Sequence, residues 1–161
     1  MLGSIAKSRG PNFPTGRDGL IAVDKVGNKV LFLDPVTFQT IEVLIGFAPR
    51  VHKLAISPDH SLAYAPISGD GKHGHNPNPG HLIAVFDLEL RRHIGDLSVA
   101  PFLAPHGMRW GSAGQLYCVC EDSGVVVEAE WGATGPPDPV PNRAVDLVVA
   151  GFAELAEGLG A

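Results

Sequence analysis

The strongest constraint on this chain is its self-similarity. His52 to Asp87, HKLAISPDHSLAYAPISGDGKHGHNPNPGHLIAVFD, reads as strand, tight turn, strand, long polar loop, strand. The same outline returns, less completely, on both sides. His52 and His106 lie 54 positions apart, as do Leu62 and Leu116, and the same offset carries KLAIS onto GMRWG and the turn PDH onto SAG. Asp34 and Asp87 lie 53 apart. A unit of this size cannot bury its apolar faces alone, so it must stack on its neighbours.

The units are made of short strands. LIAVDKVGNKVLFLD gives two apolar runs around Gly27-Asn28, residues that tolerate the backbone of a strand-linking turn. TIEVLIG supplies a third strand after Pro35. VHKLAIS and SLAYAPI flank Pro58-Asp59, and LIAVFDL and RRHIGDLSV follow the long loop. PFLAPHGMRW, QLYCVCE and SGVVVEAE repeat the connector, strands and turn. With 20 Gly and 14 Pro in 161 residues, frequent turns suit such strands better than long helices. Hydrophobic content of 45% against 18% charged residues supports a packed core. Four short strands per unit at this period predict an all-β fold, a partial β-propeller of four-stranded antiparallel blades.

Residues 1–18 read as irregular lead-in, 19–130 as about two and a half blades, and 131–142 as a Pro/Gly-rich linker. Residues 143–160 carry Val145, Val148, Val149, Phe152, Leu155, Ala156 and Leu159 at helical spacing, with Asn142 as N-cap. A short C-terminal helix is therefore expected. Such a tail, where a blade's outer strand belongs, points either to a truncated or shifted reading frame or to a short protein in its own right.

The motifs AISPDHSLAYAP, LIAVFDLELRRHIG and LFLDPVTFQTIEVLIG resemble the YVTN-type (YncE-like) β-propeller repeat. Blade-like sequence runs over about 20–130. Propellers of this type have about seven blades, so the chain resembles a truncated member. The resemblance implies fold more than function: the repeat occurs in lactonase-like enzymes, in quinoprotein and cytochrome-type oxidoreductase domains and in surface-layer proteins. Relatives are often periplasmic or secreted. The opening MLGSIAKSRGPNF has no apolar signal region, so the compartment is open.

Blade topology gathers particular loops. The connection into an innermost strand and the one between the second and third strands open on the same face. His52, His106 and the loop Ser68–His81 should therefore meet on one rim. Each of the two recurring histidines either caps strand backbone at a blade junction or belongs to a ligand shell. Arg50 and Arg109, close to them in sequence, could neutralise a carboxylate or phosphate. In the loop, His73, His75 and His81 with Asp70 form the candidate metal set, since imidazole is a common ligand of divalent ions. The spacing matches no established metal motif, so a polar surface loop and acid–base use are the other readings. A divalent metal is the only cofactor the pattern suggests.

Other features are read as structural. Cys118 and Cys120 lie on one strand face, too parallel for a relaxed disulfide, and are expected as buried thiols. Trp110 and Tyr117 are expected in the core. Asp34 and Asp87 end strands at matching places, which suits turn hydrogen bonds. The net charge of −5 gives no footprint for nucleic acid, and no apolar run is long enough to span a membrane. The expected function is a non-catalytic scaffold whose rim binds a small-molecule or protein ligand. The alternative is a lactonase-like metal-dependent hydrolase or an oxidoreductase-associated propeller subunit. Open blade edges would favour self-association.

Overall fold

The computed structural model describes residues 19–71 and 75–130. The lead-in, the linker and the tail expected to be helical lie outside them. Within them are ten strands in three antiparallel sheets, one short 3₁₀ turn at Glu121–Ser123, and no helix long and apolar enough to cross a membrane.

The first sheet contains β1 (Leu20–Asp24), β2 (Lys29–Leu33) and β3 (Thr40–Leu44), in that order. Asp24 accepts a bond from Gly27 N at 2.7 Å, and Asn28 takes positive φ (52°), so the hairpin closes where the sequence suggests. Asp34 then holds the next turn, its Oδ1 accepting from Val36 N at 2.9 Å and Thr37 N at 2.8 Å. Asp87 does the same for Leu90 N at 2.9 Å, so both aspartates serve turns.

The second sheet is complete: β4 (Ala55–Ile56), β5 (Leu62–Gly69), β6 (Pro79–Asp87) and β7 (Arg92–Ser98) lie side by side in chain order. Its tight β4–β5 turn is built on Asp59, which accepts from Ser57 Oγ at 2.6 Å and Ser61 N at 3.1 Å. Those bonds, that of Ser57 foremost, hold the Asp59 carboxyl below its ordinary pKa. The third sheet has β8 (Pro105–Trp110), β9 (Leu116–Cys120) and β10 (Val125–Ala129).

Matching of the strands shows what each sheet contributes. β1, β2 and β3 correspond to β5, β6 and β7, the outer three strands of the unit. β8, β9 and β10 correspond to β4, β5 and β6, the inner three. The arrangement is a partial propeller with one whole blade between two incomplete ones.

The middle sheet buries both faces. Ala63, Ala65, Ile67, Ala84 and Phe86 pack with Val30 and Phe32 of the first sheet. Tyr64, Ile83, Val85 and Leu97 pack with Leu116, Cys118, Cys120 and Val127 of the third. Period-2 alternation sends each strand's residues to the two seams in turn.

One expectation is corrected here. The 54-residue offset holds up to the first turn but not beyond it. Ser57 N bonds Leu62 O across the middle sheet's turn, whereas Gly111 N bonds Gln115 O in the third sheet, a turn one residue shorter. After the turn the offset is 53, so Leu116, Cys118 and Cys120 take the places of Ala63, Ala65 and Ile67. A one-residue slip changes the face of every side chain. Leu116 therefore faces the preceding sheet while Leu62 faces the following one. Tyr117 moves out of the core for the same reason; it lies across from Arg109, half-buried on the other face. Trp110 does pack inward, edge-on to Tyr64 at 5.5 Å. Burial, with Asp59 nearby, pushes the Tyr64 hydroxyl up to about 12. Cys118 and Cys120 are free and buried.

Candidate functional site

The site is built where the chain crosses from one sheet to the next. Before the middle sheet, Asn28 clamps the crossing segment: its Nδ2 donates to Phe47 O at 2.7 Å and its Oδ1 accepts from Val51 N at 3.0 Å. Val51 then bridges to Ile67, and His52 N donates to Pro66 O at 2.9 Å. Ser68 N donates to Arg50 O at 3.3 Å. The second crossing is held alike: Ala104 N donates to Gly80 O at 2.8 Å, and Glu121 N to Ala104 O at 3.0 Å. Both crossings thus run past the loop that joins β5 to β6.

These bonds deliver His52 and His106 to one point. Their rings touch, with centroids 4.3 Å apart and planes tilted by 32°. His52 Nδ1 is buried with no hydrogen-bond partner. Burial of the ring lowers its pKa to about 4, and His106, Lys25 and Lys53 push the same way while Glu121 opposes them. His52 is therefore neutral near pH 7.

His106 Nδ1 has two suitors. Lys53 Nζ stands 3.3 Å away and Glu121 Oε1 3.2 Å. An ammonium only donates and a carboxylate only accepts, so the nitrogen serves them one at a time. Protonated, it donates to Glu121; unprotonated, it accepts from Lys53.

The other candidates are dispersed. Arg50 is half-buried beside the loop base, its carbonyl bound to Ser68. Arg109 is exposed, on the face of β8 opposite Met108 and Trp110, which pack into the second seam. His75 and His81 are exposed, and His73 lies outside the described residues. Asp70 accepts from Asn78 Nδ2 at 3.0 Å. Among the described residues no three His, Cys, Asp or Glu side chains gather as a metal ion would require.

The described parts of the loop from Ser68 to His81, residues 68–71 and 75–81, are tied to one another. Asn76 donates to Ser68 O at 2.6 Å and accepts from Gly71 N at 3.1 Å. A Cβ at Gly80 would run into Ile67 O, and one at Gly71 into the Asn76 backbone. Glycine is required there by close approach, so it marks packing rather than slack.

Sequence reasoning missed Lys25 and Lys53. Recurrence between units singled out the histidines, but the position matching Lys53 in the third unit is Gly107, and Ser68 matches Glu121 in the second. Groups that occur in one unit only leave no repeat signal.

With this geometry in hand, similarity to solved structures decides the fold. The chain is similar to the WD40 β-propeller domain of Doa1, with a TM-score of 0.53, 12% identity, and coverage of 72% of this chain and 34% of that one. It is equally similar to a Bacteroides uniformis protein provisionally described as a 6-phosphogluconolactonase, with a TM-score of 0.53, 19% identity, and coverage of 74% and 35%. The fold is β-propeller-like. The chain spans about a third of the length of each of these structures. No family model and no curated protein matches the sequence.

Proposed function

We propose that this chain is part of a non-catalytic β-propeller scaffold of the YVTN-type repeat, whose inner rim, centred on His52 and His106, binds a ligand. One observation carries the reading: imidazoles recurring in consecutive units come into ring contact at the ends of the innermost strands. Two rings that merely capped separate strands would have no need to meet. With His52 Nδ1 buried, the other ring nitrogen of this neutral imidazole can serve a polar ligand as donor or acceptor.

The test is a thermal-shift screen of the full chain with a panel of neutral sugars, lactones, carboxylates and phosphate esters. A compound that stabilises the chain, and loses that effect in His52→Gln and His106→Gln, supports the rim. A compound that stabilises all three proteins alike places recognition elsewhere and overturns it.

A second reading, a lactonase-like hydrolase, has the likeness to the Bacteroides uniformis protein in its favour. It would draw on His73, His75, His81 and Asp70 for a divalent ion. Hydrolysis of δ-gluconolactone above the buffer rate, dependent on added divalent metal and lost in His75→Ala, would favour it over the scaffold reading.

A further inference from the structure

We infer that the third, incomplete blade is completed by this chain's own residues 144–150, which add to the open edge of β10 as its outermost strand. β10 stands at the end of its sheet, and among the described residues it pairs only with β9. It is not built as an edge. The outermost strands of the other two sheets, β3 and β7, are mostly exposed and carry Glu42 in one and Arg92, His93 and Asp96 in the other. β10 reads VVVEA, with Val126, Val127 and Ala129 buried, much as β6 is buried beside β7. A valine run with one edge open is a template for a further strand.

The sequence supplies the occupant. Moved by 50 positions, residues 96–102 of the middle unit, DLSVAPF, fall on residues 146–152, DLVVAGF, with Asp, Leu, Val, Ala and Phe in common. Three of these shared residues anchor β7 and its exit: Leu97 and Val99 are buried, and Phe102 packs on the same cluster. Leu147, Val149 and Phe152 repeat them. The first unit has Leu44 and Phe47 for the same purpose, packed on the other seam. Residues 144–150 also fit helical spacing, but their three valines and the match with β7 favour the extended form.

Reach permits the addition. Neighbouring strands lie about 4.8 Å apart, and the fourteen residues 130–143 join the two segments. A strand tethered in this way outcompetes one from another molecule, because the linker holds it at high effective concentration. The register follows from the middle sheet. Ala129, opposite Leu116, matches Phe86, opposite Ala63, so Val126 and Glu128 match Ile83 and Val85. Ile83 faces Leu97 and Val85 faces Gly95. Val126 therefore faces Leu147, and Glu128 faces Val145.

The experiment is NMR of the full, isotope-labelled chain. The expected result is extended-chain Cα and Cβ shifts over 144–150, with cross-strand NOEs joining Val126 to Leu147 and Glu128 to Val145. Leu147→Pro should speed amide exchange in β10 about tenfold or more and leave β5 and β6 unaltered. Leu155→Pro lies beyond the strand but within the helical stripe, and should leave β10 protected. Helical shifts over 144–150 overturn the inference, as does loss of β10 protection in both proline variants alike. Unchanged β10 exchange in Leu147→Pro also overturns it. In a mixture of labelled and unlabelled chains, cross-strand NOEs found only between copies would assign the edge to a second molecule and overturn the tethered strand.

Discussion

β2 and β6 hold the same place in consecutive units and read almost alike, KVLFL against LIAVF, yet they are buried differently. In β2 the burial alternates: Val30 and Phe32 are enclosed, Leu31 and Leu33 only half so. In β6 every residue from Ile83 to Asp87 is buried. The middle sheet has a neighbour on each face, whereas the first sheet has a described neighbour on one. An apolar run therefore announces a strand without telling how many faces are covered. The outer strands sharpen the contrast. Leu44 of β3 matches Leu97 of β7, but Val43 and Ile45 stand where the middle sheet has Asp96 and Ser98. The second face of the first sheet is apolar out to its edge.

Paired truncations put this comparison to its hardest test. Phe86 and Leu33 are equivalent positions, one fully enclosed and the other half-buried. Phe86→Ala removes a ring packed between two sheets and should cost about 3–5 kcal/mol in urea unfolding. Leu33→Ala should cost about 1 kcal/mol, because less of its surface has left water. Equal losses would mean that something covers the first sheet's second face in solution, and the contrast between the sheets would be lost.

The repeat made the strands legible, and recurrence alone placed His52 and His106 on one rim. It misjudged the register beyond the unit's first turn because PDHS and SAG look interchangeable while differing by one residue, and alternation turns that residue into a change of face. Tyr117 was the casualty. In the loop after β5, composition could not show what two glycines do: Gly80 lets Ile67 O come close and Gly71 the Asn76 backbone. Lys53 was invisible because contacts between units are set by the stacking of blades, and it does not recur.

The two seams also differ at their inner ends. The first is closed by the Asn28 clasp, and the long loop of the middle unit is closed by Asn76, each asparagine making one donated and one accepted bond to main chain. Asn28→Ala and Asn76→Ala should each cost about 1–3 kcal/mol. Asn28→Ala should be the worse of the two, because Asn28 also holds φ at 52°, where alanine is strained. Asn28→Gly should recover the backbone part and still lack the bonds. Hydrogen exchange at Val51 for the first variant and at Gly71 for the second reads each loss locally. Loss of protection at Gly71 in Asn28→Ala would show the two clasps to be one network.

The second seam's inner end is closed by imidazoles, so it should respond to pH where the first does not. His52 titrates at 6.5 in the unfolded chain and at about 4 when folded, chiefly through burial and then through His106, Lys25 and Lys53. Between those values the unfolded chain binds the extra proton, so stability falls as pH drops from 6.5 towards 4 and is unaffected by this group above that window. The effect is the smallest of the three, since the ring is partly in contact with solvent. His52→Gln, which carries no charge at any pH, should flatten that part of the stability profile. The loss caused by Asn28→Ala should be the same at pH 5 and pH 7, because an amide does not titrate. Urea midpoints measured across this range decide the matter: an unaltered slope in His52→Gln would assign the acid sensitivity to other groups and leave the imidazole contact without a part in holding the second and third sheets together.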